Sequence, residues 1–428
     1  MRFDLKKCIG LFLLLPLFAV AQLPDSIYMP SIHGVKLFAQ GDQATFPLVS
    51  LGAVNTLELH FDDFDDYVKN YNYTFQLCNA DWKPVNLSTM DFIQGFTQNR
   101  ISQYRQSSIA KTKYIHYQVI LPEKNCMPTK SGNYLLKVFL NGDTSRLAFT
   151  RRVLIYENLV PVAAQITQPF NPEMFRTHQK VQFTIDKTKL NVINPLQQIK
   201  VMILQNYRWD NATKFLQPTF MRGNVFEYSN EQDLVFPAGK EFRWADLRSV
   251  RFLSEREASI DKNATPYEIL LKPDIERSQQ RFLTYQDMNG FFEIASTDLN
   301  NPWWQSDYSN THFVFIPQGN QPYKGKDVYI IGQFTDYKIN EATKLTFNPG
   351  SGIYEKNFLL KQGYYTYTYV TKDAGNPGSV PETALTDGNY WETENEYTIL
   401  VYFRDVSGRH DQLVAVTNIN SRLSRSRL

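Results

Sequence analysis

The chain has 428 residues and a mass of 49.8 kDa, room for two to four domains at about 100–200 residues each. Hydrophobic residues make up 43% and charged residues 21%, which excludes a disordered or fibrous chain. The formal net charge is only +2, so a basic nucleic-acid-binding surface is excluded as the main activity.

Arg2, Lys6 and Lys7 precede an apolar run over residues 9–20, and Ala19 and Ala21 put small residues where a signal peptidase reads. Residues 1–21 therefore read as a secretory signal cleaved before Gln22. The run is too short to span a bilayer easily and Pro16 interrupts it. Losing this segment removes three basic side chains and one acidic one, which leaves a mature chain of zero net charge. No later stretch reaches the ~18 consecutive apolar residues of a spanning helix, so no integral membrane protein is expected.

Beyond the signal, short β-branched and aromatic runs alternate with Gly, Pro, Asn and Asp, and long helical periodicity is absent. This is the pattern of an all-β protein of tandem β-sandwich, immunoglobulin-like domains. A first sandwich is expected over 22–158. Its clearest hairpin joins 133–140 to 146–156 through Asn141-Gly142, a pair that accepts positive φ. In 114–121, Ile115, Tyr117, Val119 and Leu121 share one face. Asp62, Asp63, Asp65 and Asp66 (FDDFDDY) read as a solvated strand end; a calcium loop would need a Gly turn that this run lacks. Trp82, Phe92 and Phe96 lie in a stretch between strands, either as anchors for a partner or as cover for the sandwich. Cys78 and Cys126, the two cysteines left after maturation, form either one disulfide or two separate small core residues.

Pro161 marks a boundary, and a second β domain is expected over 159–307. Its strand candidates are 181–186, 199–204, 224–229, 267–272, 281–286 and 291–296, with a turn at Met288-Asn289-Gly290. Trp303 and Trp304 follow, as a partner anchor or as filling for the seam between the second and third domains. A third domain is expected over 308–419, with strands near 312–316, 326–332, 353–360, 363–371, 397–404 and 412–416. Residues 420–428 form a basic tail carrying Arg422, Arg425 and Arg427. It reads as a frayed end or as a basic arm for a partner.

No G-x-S-x-G elbow, H-E-x-x-H or phosphate loop is spelled in the chain, and no two of the six histidines stand at ligand spacing. No catalytic residue, metal site or cofactor is expected.

Two resemblances remain. Residues 328–337 (VYIIGQFTDY) and 359–367 (LLKQGYYTY) resemble the glycogen-binding, early-set immunoglobulin-like modules. That likeness makes Tyr337 and Trp391 candidate sugar-stacking residues. Tyr337 stands in place of that family's usual Trp, however, and Thr368 stands in place of its sugar-contacting Lys. The stretches LELHFDD (57–63), CNADW (78–82), DFIQGF (91–96), YIHY (114–117), SGNYLL (131–136) and ETENEY (392–397) resemble the plug family of the Bacteroidota type IX secretion system. What that resemblance implies is a periplasmic protein, associated with the outer membrane, that closes the periplasmic mouth of the translocon barrel. Its partner would be that barrel. A periplasmic or surface glycan-binding module is the alternative.

Overall fold

Tyr71, Tyr73, Phe75 and Leu77 alternate with more polar neighbours and are all buried, the period-2 signature of a strand with one face on a core. The computed structural model describes residues 24–65 and 67–422, so the signal segment, Asp66 and the end of the tail from 423 lie outside the described residues. Among the described residues no helix is long and apolar enough to cross a membrane.

The protein is mostly β and is organised as three sandwich-like units. In the first, strands Ile32–Ala39, Leu57–Asp63, Ile115–Leu121 and Gln103–Gln106 form one antiparallel sheet in that order. The facing sheet runs Leu48–Ser50, Leu147–Tyr156, Gly132–Leu140, Tyr71–Cys78 and Asn99–Arg100. Their inner faces share one aromatic core around Phe61, Tyr71, Tyr117 and Phe149. At the expected hairpin both Asn141 and Gly142 have positive φ, and the loop between the strands covers residues 141–146.

The other two units do not follow one another along the chain as the sequence reading expected. The second unit pairs Val162–Thr167, His178–Asp186, Val225–Tyr228 and Phe220–Arg222 in one sheet. Its opposite sheet joins Ile199–Gln205 to Glu396–Phe403 and Gln412–Asn420, from the far end of the chain. The third unit lies between these halves. Its strand Gly363–Asp373 pairs with Arg243–Asp246, Phe292–Ile294 and Lys326–Ile331. Facing it is a sheet ordered Glu257–Asp261, Tyr267–Leu271, Tyr308–Ile316, Ile353–Lys361 and Thr346–Asn348. The boundaries expected at 159–307 and 308–419 are therefore corrected. Val401 and Val414 complete a core with Val181 and Phe183, over 200 residues away, and local periodicity carries no information about such pairings.

The expected strand at 281–286 is irregular backbone. Its Tyr285 hydroxyl instead donates to the Phe242 carbonyl at 2.9 Å and accepts from Arg277. The two cysteines are separate buried thiols. Cys78 lies on the same strand face as Gln76, opposite the core residues Phe75 and Leu77, whereas Cys126 belongs to that core. The sheet therefore lies between the two thiols.

Candidate functional site

The aromatic residues singled out in the sequence fall into three environments. Phe92 is buried in the first core against Tyr134, with ring centroids 6.1 Å apart. Trp82 packs edge-on to Trp209 of the second unit at 4.9 Å, and the Arg152 guanidinium lies about 5 Å from both indoles. Phe96 alone of these points outward, 64% exposed, with Met90 nearby in sequence at 80%. The turn presenting Phe96 depends on Gly95, whose φ is +92° and whose added Cβ would lie 2.2 Å from the Asn125 carbonyl oxygen.

Trp303 and Trp304 fill a seam, but it lies between the first and third units. The Trp303 ring stacks on His60 at 3.7 Å, and Trp304 lies under the Arg105 guanidinium at 4.9 Å. Beneath them sits a buried polar cluster. Asp62, on the strand Leu57–Asp63, accepts from the Lys361 ammonium, from the Tyr308 hydroxyl at 2.6 Å and from His116 Nδ1 at 2.6 Å. His60 and His116 ring nitrogens meet at 3.1 Å. Burial alone would raise the Asp62 carboxyl, but Lys361 and His116 outweigh it and hold its pKa below the ordinary value. Burial pushes His116 down to about 4, so the ring is neutral at pH 7. Gly34 allows this approach, because a Cβ there would lie 2.7 Å from the Tyr308 hydroxyl.

The acidic run expected as a solvated strand end is thus corrected. Asp62 and Asp63 are both buried, Asp63 accepting from Tyr71 and pairing with Lys69. The 56-residue separation of His60 and His116 hid their meeting, since only adjacent strands bring them together.

The other seams are equally specific. Between the first and second units, Tyr402 donates to Asn133 at 2.9 Å and the Ala80 N–H donates to Asp411 at 3.0 Å. Between the second and third, Asn289 donates to Glu394 at 3.0 Å and Arg422 pairs with Glu241 at 3.3 Å. Arg422, read as part of a loose basic tail, is therefore engaged in this seam. Burial, with Asp287 and Glu394 adding repulsion, pushes Glu241 up to about 8; burial pushes Asp287 up to about 7.

The glycan candidates Tyr337 and Trp391 are both half-buried. The Tyr337 ring lies 5.4 Å from the Arg208 guanidinium. Trp391 is held elsewhere, its backbone bonded to Arg176 and Gln179. Thr368, at the position matching the sugar-contacting Lys, is buried and donates to Asp387. Asp387 is enclosed by Arg243 and Arg277, which leaves a sugar no access to this position.

Where the three units meet, a cleft of about 440 Å³ opens. Lys36, Arg151, Tyr207, Trp209 and Tyr337 are among its lining residues.

A set of β-sandwich units clamped through buried ion pairs and aromatic stacks is the class of protein that fold and seams define, a multi-unit β body. Residues 32–157 match the family model described as type 9 secretion system plug protein, 1st domain. A solved structure of a hypothetical protein from Parabacteroides merdae is similar along nearly the whole chain. The two share 29% sequence identity with a TM-score of 0.87, over 93% of this chain and 99% of that one. No curated protein matches.

Proposed function

We propose that this protein is a periplasmic plug that closes the periplasmic opening of the type IX secretion translocon barrel when no substrate is passing. The match of residues 32–157 to the plug family carries this reading. The family also supports a non-catalytic role and a place at the outer membrane. A wide barrel encloses a water-filled lumen that must be stopped by bulk and fit rather than by chemistry. A body whose units are joined by buried charge and stacked rings suits such a task, because a hinged chain would leak around its own joints. The contact surface falls on the loop that presents Met90 and Phe96, the outward-facing part of the 81–96 stretch. Phe92 is buried in the first core, and Trp82, Trp303 and Trp304 are half-buried in seams between units.

Deletion of the gene is expected to raise outer-membrane permeability to large hydrophilic antibiotics only in cells that retain the translocon barrel. An affinity-tagged chain is expected to copurify a large barrel from solubilised outer membranes. A Phe96→Glu/Met90→Glu variant is expected to lose that copurification with its thermal midpoint unchanged. Equal permeability with and without the gene, together with no barrel in the pull-down, would refute the proposal.

A further inference from the structure

The described part of the chain buries three lysines to 3% exposure or less: Lys36, Lys180 and Lys361. Lys180 pairs with Glu231 at 3.3 Å, and Lys361 pairs with Asp62. Lys36 differs. Its ammonium donates to the Phe292 carbonyl and to Gln333 Oε1 and lies 3.9 Å from the centre of the Phe292 ring. Among the described residues no carboxylate lies within ion-pair distance of it; the acids whose fields reach it, Glu293 and Asp42, are more remote. A lysine ammonium has three donors, and these contacts use two. Burial pushes the Lys36 ammonium well below its ordinary pKa, because a buried cation without a counter-charge is unfavourable; a bound anion would favour the charged form and take the third donor.

Lys36 lines the cleft where the three units meet. The acids in the same lining are already engaged: Asp25 by Arg152, Asp210 by Arg208, and Asp336 by Lys338 with Arg151 at 3.7 Å. The cations are in excess, since Lys372, also in the lining, donates only to the Pro377 carbonyl. The remaining wall is aromatic. Phe46 stacks on Tyr207 at 5.4 Å, Tyr207 meets Phe291 at 5.7 Å, and Trp209 and Tyr337 stand beside them. A cavity of this volume matches a small ligand or a peptide end of a few residues.

We propose that the three-unit cleft binds a monocarboxylate carried on an apolar or aromatic body, with Lys36 receiving the carboxylate and Arg151 assisting from the adjoining wall. Three acids in the lining disfavour a dianion such as phosphate, while a single negative charge supplies the acceptor Lys36 lacks. The carboxylate could end a peptide chain or belong to a free acid. Both present the same group, and neither source depends on the plug reading.

Full-length mature protein would be titrated calorimetrically with three probes: the tripeptide Gly-Phe-Phe, the same peptide amidated at its carboxy end, and 3-phenylpropanoate. At least one free acid is expected to bind, with the amide at least tenfold weaker than the free peptide. Lys36→Met is expected to abolish binding and, by removing a buried polar group short of one partner, to leave the thermal midpoint unchanged or higher. Arg151→Gln, which leaves Lys36 in place, is expected to weaken binding about three- to tenfold. Binding of the free peptide but not of 3-phenylpropanoate assigns the site to chain ends, and the reverse assigns it to small acids. No binding of any probe at millimolar concentration would overturn the proposal. So would equal binding of amide and acid, or undiminished binding by folded Lys36→Met.

Discussion

Replacing Lys361 with Met isolates the charge of Asp62 in the seam between the first and third units. Both side chains are 2% exposed, so water cannot replace the lost ammonium. Removing one member of a buried ion pair costs about 3–5 kcal/mol. Asp62 keeps the Tyr308 hydroxyl and His116 Nδ1 as donors, which places the expected loss near the lower end, about 3 kcal/mol at pH 8. The pH dependence follows from His116, whose pKa burial holds at about 4, with Lys361 contributing to the depression. Without that ammonium the imidazole regains proton affinity and can neutralise Asp62. A base whose folded pKa rises stabilises below its unfolded pKa and loses that contribution as pH increases. The defect is therefore expected to shrink by about 1 kcal/mol at pH 5.5. Asp62→Asn combined with Lys361→Met leaves no isolated charge, so the double variant is expected to be more stable than Lys361→Met alone. Urea unfolding followed by circular dichroism, with hydrogen exchange across Leu57–Asp63 and Tyr308–Ile316, reads both effects. A Lys361→Met variant within 1 kcal/mol of the parent at pH 8 would refute the reasoning. So would a double variant as unstable as the sum of its parts.

Glu241 holds a proton in the folded state up to about pH 8, whereas an unfolded glutamate releases it near its ordinary value. Stability is therefore lost as pH rises between the two, and Glu241→Gln, which keeps the Oε1 acceptor, is expected to gain about 1–3 kcal/mol at pH 8 and almost nothing at pH 4.5. Thermal midpoints at the two pH values check this, and equal shifts would contradict it. Gly95→Ala forces a Cβ against the Asn125 carbonyl at positive φ and is expected to cost about 1–3 kcal/mol. Hydrogen exchange should then show lost protection around Cys126–Pro128, with Gly363–Asp373 unaffected; uniform loss or none would count against a local clash. Denatured, unreduced protein beginning at Gln22 is expected to take up two maleimides, because Cys78 and Cys126 are free thiols. Mass spectrometry reads the count, and uptake of none would show a bond between them.

Sequence alone determined which side of a strand faces a core where its residues alternate clearly. Tyr365, Tyr367 and Tyr369 alternate with Thr366 and Thr368, and the tyrosines all enter the third core. A strand's period is set by its own backbone and needs no partner to be read. The plug-family stretches within residues 32–157 were legible for the same reason, being spelled locally. Tertiary structure alone decided the partners. It joined Ile199–Gln205 to strands near the carboxy end, placed Asp62 against a lysine 299 residues away, and turned Trp303 onto His60 instead of outward. It also buried Lys36 with no carboxylate among the described residues at ion-pair distance. These outcomes depend on which surfaces exclude water together when the sandwiches close. That is a property of long-range pairing, and several pairings can satisfy one local pattern equally well.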